Sequence, residues 1–326
     1  MTASDFPARD DITICFAHSA YRFAEAFARR NAGLNHFQVW SADDLRERAG
    51  EADVIVTSGF WNNALLDSAA RLKFVQSASA GIDQYDSEKF QAKSVLLTSA
   101  QGCNERAVAE HAMALILALA RLLHEARDNQ RSGKWRGMIS NPGEREDELG
   151  GKKMLIVGMG RIGSRLAILA KAFGVHVVAI KRDPSRGGEA ADEIHGQDQL
   201  RALLPSADIV VLTCPLTPHT ENLINSEAFA AMKPNAHLVN VARGKVVDEA
   251  ALIDALQNRR IAAAGLDCTV DEPLPETSPL WGLKNALITP HTAGETRRYE
   301  DNVIDILMDN LDRLWRDDEN LRNRVV

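Results

Sequence analysis

Short apolar runs alternate with stretches of helical spacing along nearly the whole chain. Residues 12–17, 37–40, 53–57 and 72–76 read as strands, and 21–30, 43–49 and 63–70 carry apolar positions at helical spacing. The alternation resumes with strands at 153–157, 175–180, 209–213, 238–241, 263–267 and 286–289. Helical patterns at 164–173, 197–204, 226–232 and 248–257 separate them. Strands that are almost all apolar are buried on both faces, and strands alternating with helices build parallel sheets covered by helices. The expected fold is α/β: two Rossmann-like or flavodoxin-like doubly wound parallel-sheet domains with a cleft between them.

Three further segments organise these blocks. Residues 107–131 form one long helical pattern, apolar almost all round in its first half, which predicts burial on several sides, between domains or in a subunit interface, the latter favoured. Residues 133–150 are rich in Gly, Pro and charge, and the run Glu144-Arg145-Glu146-Asp147-Glu148 reads as a solvated loop. Residues 297–315 form a long amphipathic helix beyond the last strand. If that helix returns to the first block, the small domain is discontinuous, 1–102 plus 293–326, around a dinucleotide-binding domain at 103–292.

Composition narrows the partners. The 326 residues are 45% hydrophobic and 25% charged, as in an ordinary folded protein. A formal net charge of -7 argues against nucleic acid or an anionic membrane, so an anionic ligand has to be drawn by local basic residues. Cys15, Cys103, Cys214 and Cys268 form no C-x-x-C pair, which fits reduced thiols in a cytoplasmic protein and gives no metal-site signal. Residues 1–11 lack the apolar run of a signal peptide, and 107–123, the most apolar stretch, carries Glu110, His111 and Arg121 and reads as a buried helix.

The strand at 153–157 runs into Gly158-Met159-Gly160-Arg161-Ile162-Gly163 and then a helix, the setting in which G-x-G-x-x-G binds a dinucleotide. The first glycine permits the turn, the second admits the pyrophosphate, and the third lets helix and strand pack closely. At the end of the next strand, where an acidic residue binds the ribose 2′-hydroxyl of NAD, stand Lys181 and Arg182. An ammonium and a guanidinium there attract a 2′-phosphate, so NADP(H) is expected to be preferred, with NAD(H) possible. Asp183 comes two residues late and reads as a turn residue before Pro184.

Three later strand ends carry reactive side chains: Arg243 before Gly244, Glu272 in the loop after Asp267, and His291 after Pro290. Taken singly, each has an ordinary structural reading as a salt bridge, a turn or a capped histidine. Together, on one edge beside a nicotinamide, they make chemical sense. An arginine grips a 2-oxo acid, a histidine gives a proton to the carbonyl oxygen, and a carboxylate on the other ring nitrogen fixes the tautomer.

With these motifs in view, the chain resembles the D-isomer-specific 2-hydroxyacid dehydrogenases over nearly its whole length. The similarity rests on the run from Met232-Lys233-Pro234-Asn235 through Asn240-Val241-Ala242-Arg243-Gly244 to Val247-Asp248-Glu249, on Cys214-Pro215-Leu216-Thr217, and on Val108-Ala109-Glu110-His111-Ala112. The resemblance implies that Arg243 holds the substrate, His291 is the acid/base and Glu272 its partner. It also implies that Ser79, Ala80 and Gly81 offer backbone N–H groups to the substrate carboxylate. Gly158, Gly160, Arg161, Ile162, Gly163, Lys181, Arg182, Cys214, Pro215, Thr220, Val241, Ala242 and Asp267 are its cofactor-binding positions. Family members pair through the long helix, which implies a homodimer through the helix starting near Ala107. Two departures stand out: Lys181-Arg182 in place of an acidic residue, and no aromatic in Cys268-Thr269-Val270-Asp271.

The expected activity is therefore NADPH-dependent reduction of a small 2-oxo acid such as glyoxylate or hydroxypyruvate to a D-2-hydroxy acid. The alternative from another class is a dinucleotide-sensing module of the corepressor type. A formate-type donor is disfavoured because that branch carries glutamine where this chain has Glu272. Trp135, Arg136 and Tyr299 belong to the substrate pocket only if their loops close over it.

Overall fold

Two sheets, each entirely parallel, organise the chain, whose structure is a computed structural model describing residues 6–185 and 190–326. The first contains β1 (Thr13–Ala17), β2 (Asn35–Val39), β3 (Val54–Thr57), β4 (Phe74–Ser77) and β5 (Leu96–Thr98), in the order β2-β1-β3-β4-β5. The second contains β6 (Lys153–Val157), β7 (His176–Ile180), β8 (Glu193–His195), β9 (Ile209–Leu212), β10 (His237–Asn240), β11 (Ala263–Leu266) and β12 (Ala286–Ile288). Its order is β12-β11-β10-β9-β6-β7-β8, with the direction of winding reversing between β6 and β9. The α/β, doubly wound expectation is met in both sheets.

By compactness the chain divides into a unit of Met1–Asn104 with Glu295–Val326 and a unit of Glu105–Gly294. In the first, the helix Tyr299–Leu314 buries Val303, Ile304, Leu307 and Leu311 in one cluster with Phe16, Phe23 and Phe27. The chain end then runs along β5, where Val325 N donates to Leu97 O at 2.8 Å and Ser99 N to Asn323 O at 3.0 Å. Buried Asn310 bonds Thr98 and Gln76 beneath it.

In the second unit the apolar helix Glu105–Ala120 lies against the sheet, and a Cβ on Gly265 of β11 would lie 3.1 Å from Leu115 Cβ. The helix Arg161–Ala172 packs on the helix Glu105–Ala120 as well, with Leu115, Ile116, Leu166 and Ala170 in one buried cluster. The single helix expected over 107–131 is two, Glu105–Ala120 and Leu123–Arg131, bent by 70°. Leu122 between them is left-handed at φ 51°, which ends the first helix, and the second has no buried residue. Among the described residues no single helix is long and apolar enough to cross a membrane. The charged run at 144–148 is a loop exposed at every residue but the half-buried Glu146, as expected; Glu146 pairs with Arg136, and Asp147 meets Lys152 Nζ at 2.6 Å.

Candidate active site

β6 ends at Val157 and the helix Arg161–Ala172 begins four residues on, so the turn between them is tight. Gly158 has φ 108°, and a Cβ there would lie 2.6 Å from Cys214 N, in the loop after β9. A Cβ on Gly163 would overlap the Gly158 carbonyl, whereas the Gly160 position has nothing within 4 Å. Gly160 caps the helix without a side chain, and the first turn holds no acid. Open space at Gly160, at the positive end of a helix, suits a phosphate, so these residues fit a dinucleotide. Arg161 is exposed and Ile162 half-buried on that turn.

Lys181 directly follows β7 and is half-buried, its backbone N–H donating to His195 O at 3.0 Å, and Arg182 is exposed. Asp183 turns into its own loop, accepting from Ser185 Oγ at 2.6 Å and Ser185 N at 3.1 Å. Those bonds hold its carboxyl below the usual range. Residues 186–189, which follow, lie outside the described residues.

Across the switch point, Cys214 is buried and its thiol is pushed up to about 11 by that burial. Thr220 Oγ donates to Pro215 O at 2.7 Å and accepts from Thr217 N at 2.8 Å, fixing the loop that carries Cys214. Val241 and Ala242, directly after β10, are buried. Cys268 is buried too, so both thiols are packing groups.

β10, β11 and β12 are neighbours, and their carboxyl ends bring Arg243, Glu272 and His291 to one edge. Asn240, at the end of β10 and 1% exposed, organises the turn: its Oδ1 accepts from Ala242 N and its Nδ2 donates to Arg243 O, both at 3.0 Å. Its carbonyl accepts from Asp267 N at 2.9 Å. Arg243 donates from Nη1 to Ala242 O at 2.7 Å. Gly244 is required by close approach, since a Cβ would collide with the Thr269 carbonyl. Glu249 Oε2 then takes Val270 N at 3.0 Å, fixing the loop that ends in Glu272.

His291 Nδ1 lies 2.7 Å from Glu272 Oε2, while Glu272 Oε1 accepts from Thr269 N at 3.1 Å. The two side chains remain 42% and 38% exposed, so the pair is reachable from solvent. Asp267 is 2% exposed and binds the His291 loop, accepting from Thr289 Oγ at 2.6 Å, Thr292 N at 3.0 Å and Ala293 N at 2.9 Å. The spacing of the sequence assigned no role to Asn240 or Glu249. The available signal was an asparagine closing a strand just before the Arg243-Gly244 turn.

In the other unit, the loop after β4 holds Ser79, Ala80 and Gly81, all half-buried. Ser79 N already donates to Ser77 Oγ at 3.1 Å, and Ser79 Oγ to Gly81 O at 2.8 Å. Tyr299 is not a pocket residue but an anchor: it is 7% exposed, with its hydroxyl donating to Ala78 O at 2.6 Å. Arg136 is taken up by Glu146 and by Gly137 O, while Trp135 is fully exposed at 98%.

Residues 113–293 match the family model described as D-isomer specific 2-hydroxyacid dehydrogenase, NAD binding domain. The chain is 38% identical over 242 residues to D-3-phosphoglycerate dehydrogenase of Mycobacterium leprae, covering 73% of this chain and 44% of that one. It thus spans about half the length of such curated relatives. It is 36% identical to glyoxylate/hydroxypyruvate reductase B of Serratia proteamaculans, covering 82% of this chain and 83% of the relative. Among solved structures it is similar to the NADPH-dependent glyoxylate/hydroxypyruvate reductase of Sinorhizobium meliloti in complex with citrate, with a TM-score of 0.81 and 27% identity over 96% of this chain and 98% of that one. The chain belongs to the D-isomer-specific 2-hydroxyacid dehydrogenase family.

Proposed function

We propose that this protein reduces a small 2-oxo acid of the glyoxylate or hydroxypyruvate type to a D-2-hydroxy acid, preferring NADPH to NADH. The observation that carries the reading is the 2.7 Å contact of His291 Nδ1 with Glu272 Oε2. With Nδ1 engaged by a carboxylate, the tautomer and ring plane are set and Nε2 is the nitrogen that delivers a proton. A bound nicotinamide dinucleotide supplies the hydride. Arg243 grips the substrate with its guanidinium and polarises the carbonyl, and His291 protonates the carbonyl oxygen as negative charge builds on it. Ala80 and Gly81 give backbone N–H groups to the substrate carboxylate, since the Ser79 N–H is already committed to Ser77.

The turn Gly158–Gly163 and the first turn of Arg161–Ala172 hold the pyrophosphate, and Lys181 and Arg182 hold the 2′-phosphate. The similarity to an NADPH-dependent reductase supports that preference. We propose further that the protein pairs as a homodimer through the segment that begins near Ala107, where the helix Leu123–Arg131 has no buried residue in a single chain. A cytoplasmic setting fits the four free cysteines.

The test is oxidation of NADPH, and separately of NADH, with glyoxylate, hydroxypyruvate, pyruvate and bulkier 2-oxo acids, with the configuration of the product determined. Turnover of a small 2-oxo acid to a D-product supports the assignment. Tight NADPH binding with no turnover across the panel contradicts it and favours a dinucleotide-sensing module.

A further inference from the structure

We propose that His111 is a positioning residue for His291, acting through Thr289 and Asp267. His291 sits in a left-handed backbone conformation, φ 55°, which a side chain adopts only where its surroundings hold it. The hold comes from Asp267, both of whose oxygens are committed to this loop through Thr289, Thr292 and Ala293. Thr289 has one hydroxyl proton and gives it to Asp267 Oδ1 at 2.6 Å. Its other side-chain contact, His111 Nε2 at 2.9 Å, therefore runs the opposite way: the ring donates and the hydroxyl accepts.

A proton is thereby assigned to Nε2 of His111, and the chain of bonds acquires a direction, from His111 through Thr289 to Asp267. The same nitrogen stands 3.5 Å from Asp267 Oδ1. Thr289 is held from the other side as well, its carbonyl accepting from His291 N at 3.0 Å. His111 comes from the middle of the helix Glu105–Ala120, so a rigid, buried element sets the orientation of the hydroxyl that anchors the His291 loop. A residue of packing value alone would not need a donor at this atom.

This inference rests on the activity proposed above, and its test separates the two. In the full chain, His111→Leu and Thr289→Val are expected to lower kcat by about 10- to 100-fold, the scale for a misplaced catalytic group. KM for the 2-oxo acid and the Kd for NADPH stay within about twofold, because uniform binding is untouched. His111→Gln keeps a donor near Nε2 and Thr289→Ser keeps the hydroxyl, so both recover most of the activity. In protein labelled with nitrogen-15 histidine and free of substrate, the downfield Nδ1–H resonance of His291 broadens in His111→Leu and returns in His111→Gln.

Wild-type kcat and an unchanged His291 resonance in His111→Leu overturn the proposal. Should that variant fail to fold, equal kcat in Thr289→Val and Thr289→Ser overturns it instead. A wild-type protein without 2-oxo acid turnover, whose His291 resonance still responds to His111→Leu, retires the proposed activity and leaves the positioning role standing.

Discussion

Gly244 presses its Cα against the Thr269 carbonyl so closely that no side chain fits between them, and this contact joins the Arg243 turn to the loop of Glu272. Two strand ends that each bear one reactive group are thus fixed against each other by an absent methyl. Gly244→Ala is expected to destabilise the fold by about 1–3 kcal/mol through overpacking. It also displaces Arg243 from Glu272, so kcat/KM falls more than stability alone explains. Urea unfolding beside steady-state kinetics checks this, and a variant unchanged in both would mean the two loops are free to separate.

In the proposed reaction Glu272 acts through His291, which it meets at 2.7 Å, and not on the substrate. Glu272→Gln keeps the shape and one hydrogen bond but removes the negative charge that faces His291 Nδ1, and kcat is expected to drop about 100-fold or more. NADPH binding, followed by fluorescence, should be unaltered. A loss of cofactor affinity instead would place Glu272 in the wrong half of the site.

Lys181 and Arg182 directly follow β7. Replacing both with alanine should weaken NADPH by about 100-fold or more, from the loss of charge-assisted bonds worth about 1.5–3 kcal/mol each. NADH should be almost unaffected. Equal effects on the two cofactors would make these residues ordinary surface charges.

His237, the first residue of β10, has its pKa lowered from 6.5 to about 4 by burial, with Lys152 adding to the effect. Unfolded, this ring takes a proton near 6.5, while in the fold it resists until about 4. Stability is therefore complete above the unfolded value and is lost as pH falls between the two, by about 3 kcal/mol in all. His237→Gln should flatten that part of the stability profile in urea melts. A profile equally steep in the variant would assign the acid sensitivity to other groups.

Much of this was legible in the sequence because the chemistry sits at strand ends. All-apolar runs such as Ile209–Leu212 locate the strands, and whatever follows them must face the ligand edge. The parts that were not legible have physical reasons. Leu122 ends a helix although leucine favours helices, so the break at φ 51° is imposed by tertiary packing, with no glycine or proline to announce it. β8 (Glu193–His195) is a half-buried edge strand with a single isoleucine between two polar residues and lacks the apolar signature. The helix Ser87–Lys93 did carry a signal, Asp86 accepting from Lys89 N at its start, but it is too short for periodicity to register. In the site, Arg243, Glu272 and His291 were evident as residue types, whereas Glu249 and His111 act through bonds to segments distant in sequence, and Asn240 through bonds to the backbone of its own turn.

The most direct measurement compares wild-type protein with His291→Asn in NADPH oxidation by hydroxypyruvate, with NADPH affinity measured in parallel. The account predicts a loss of turnover of about 100-fold or more at unchanged NADPH affinity, since His291 supplies the proton and does not hold the dinucleotide. Undiminished turnover in His291→Asn would contradict it, and the proton would have to come from another group.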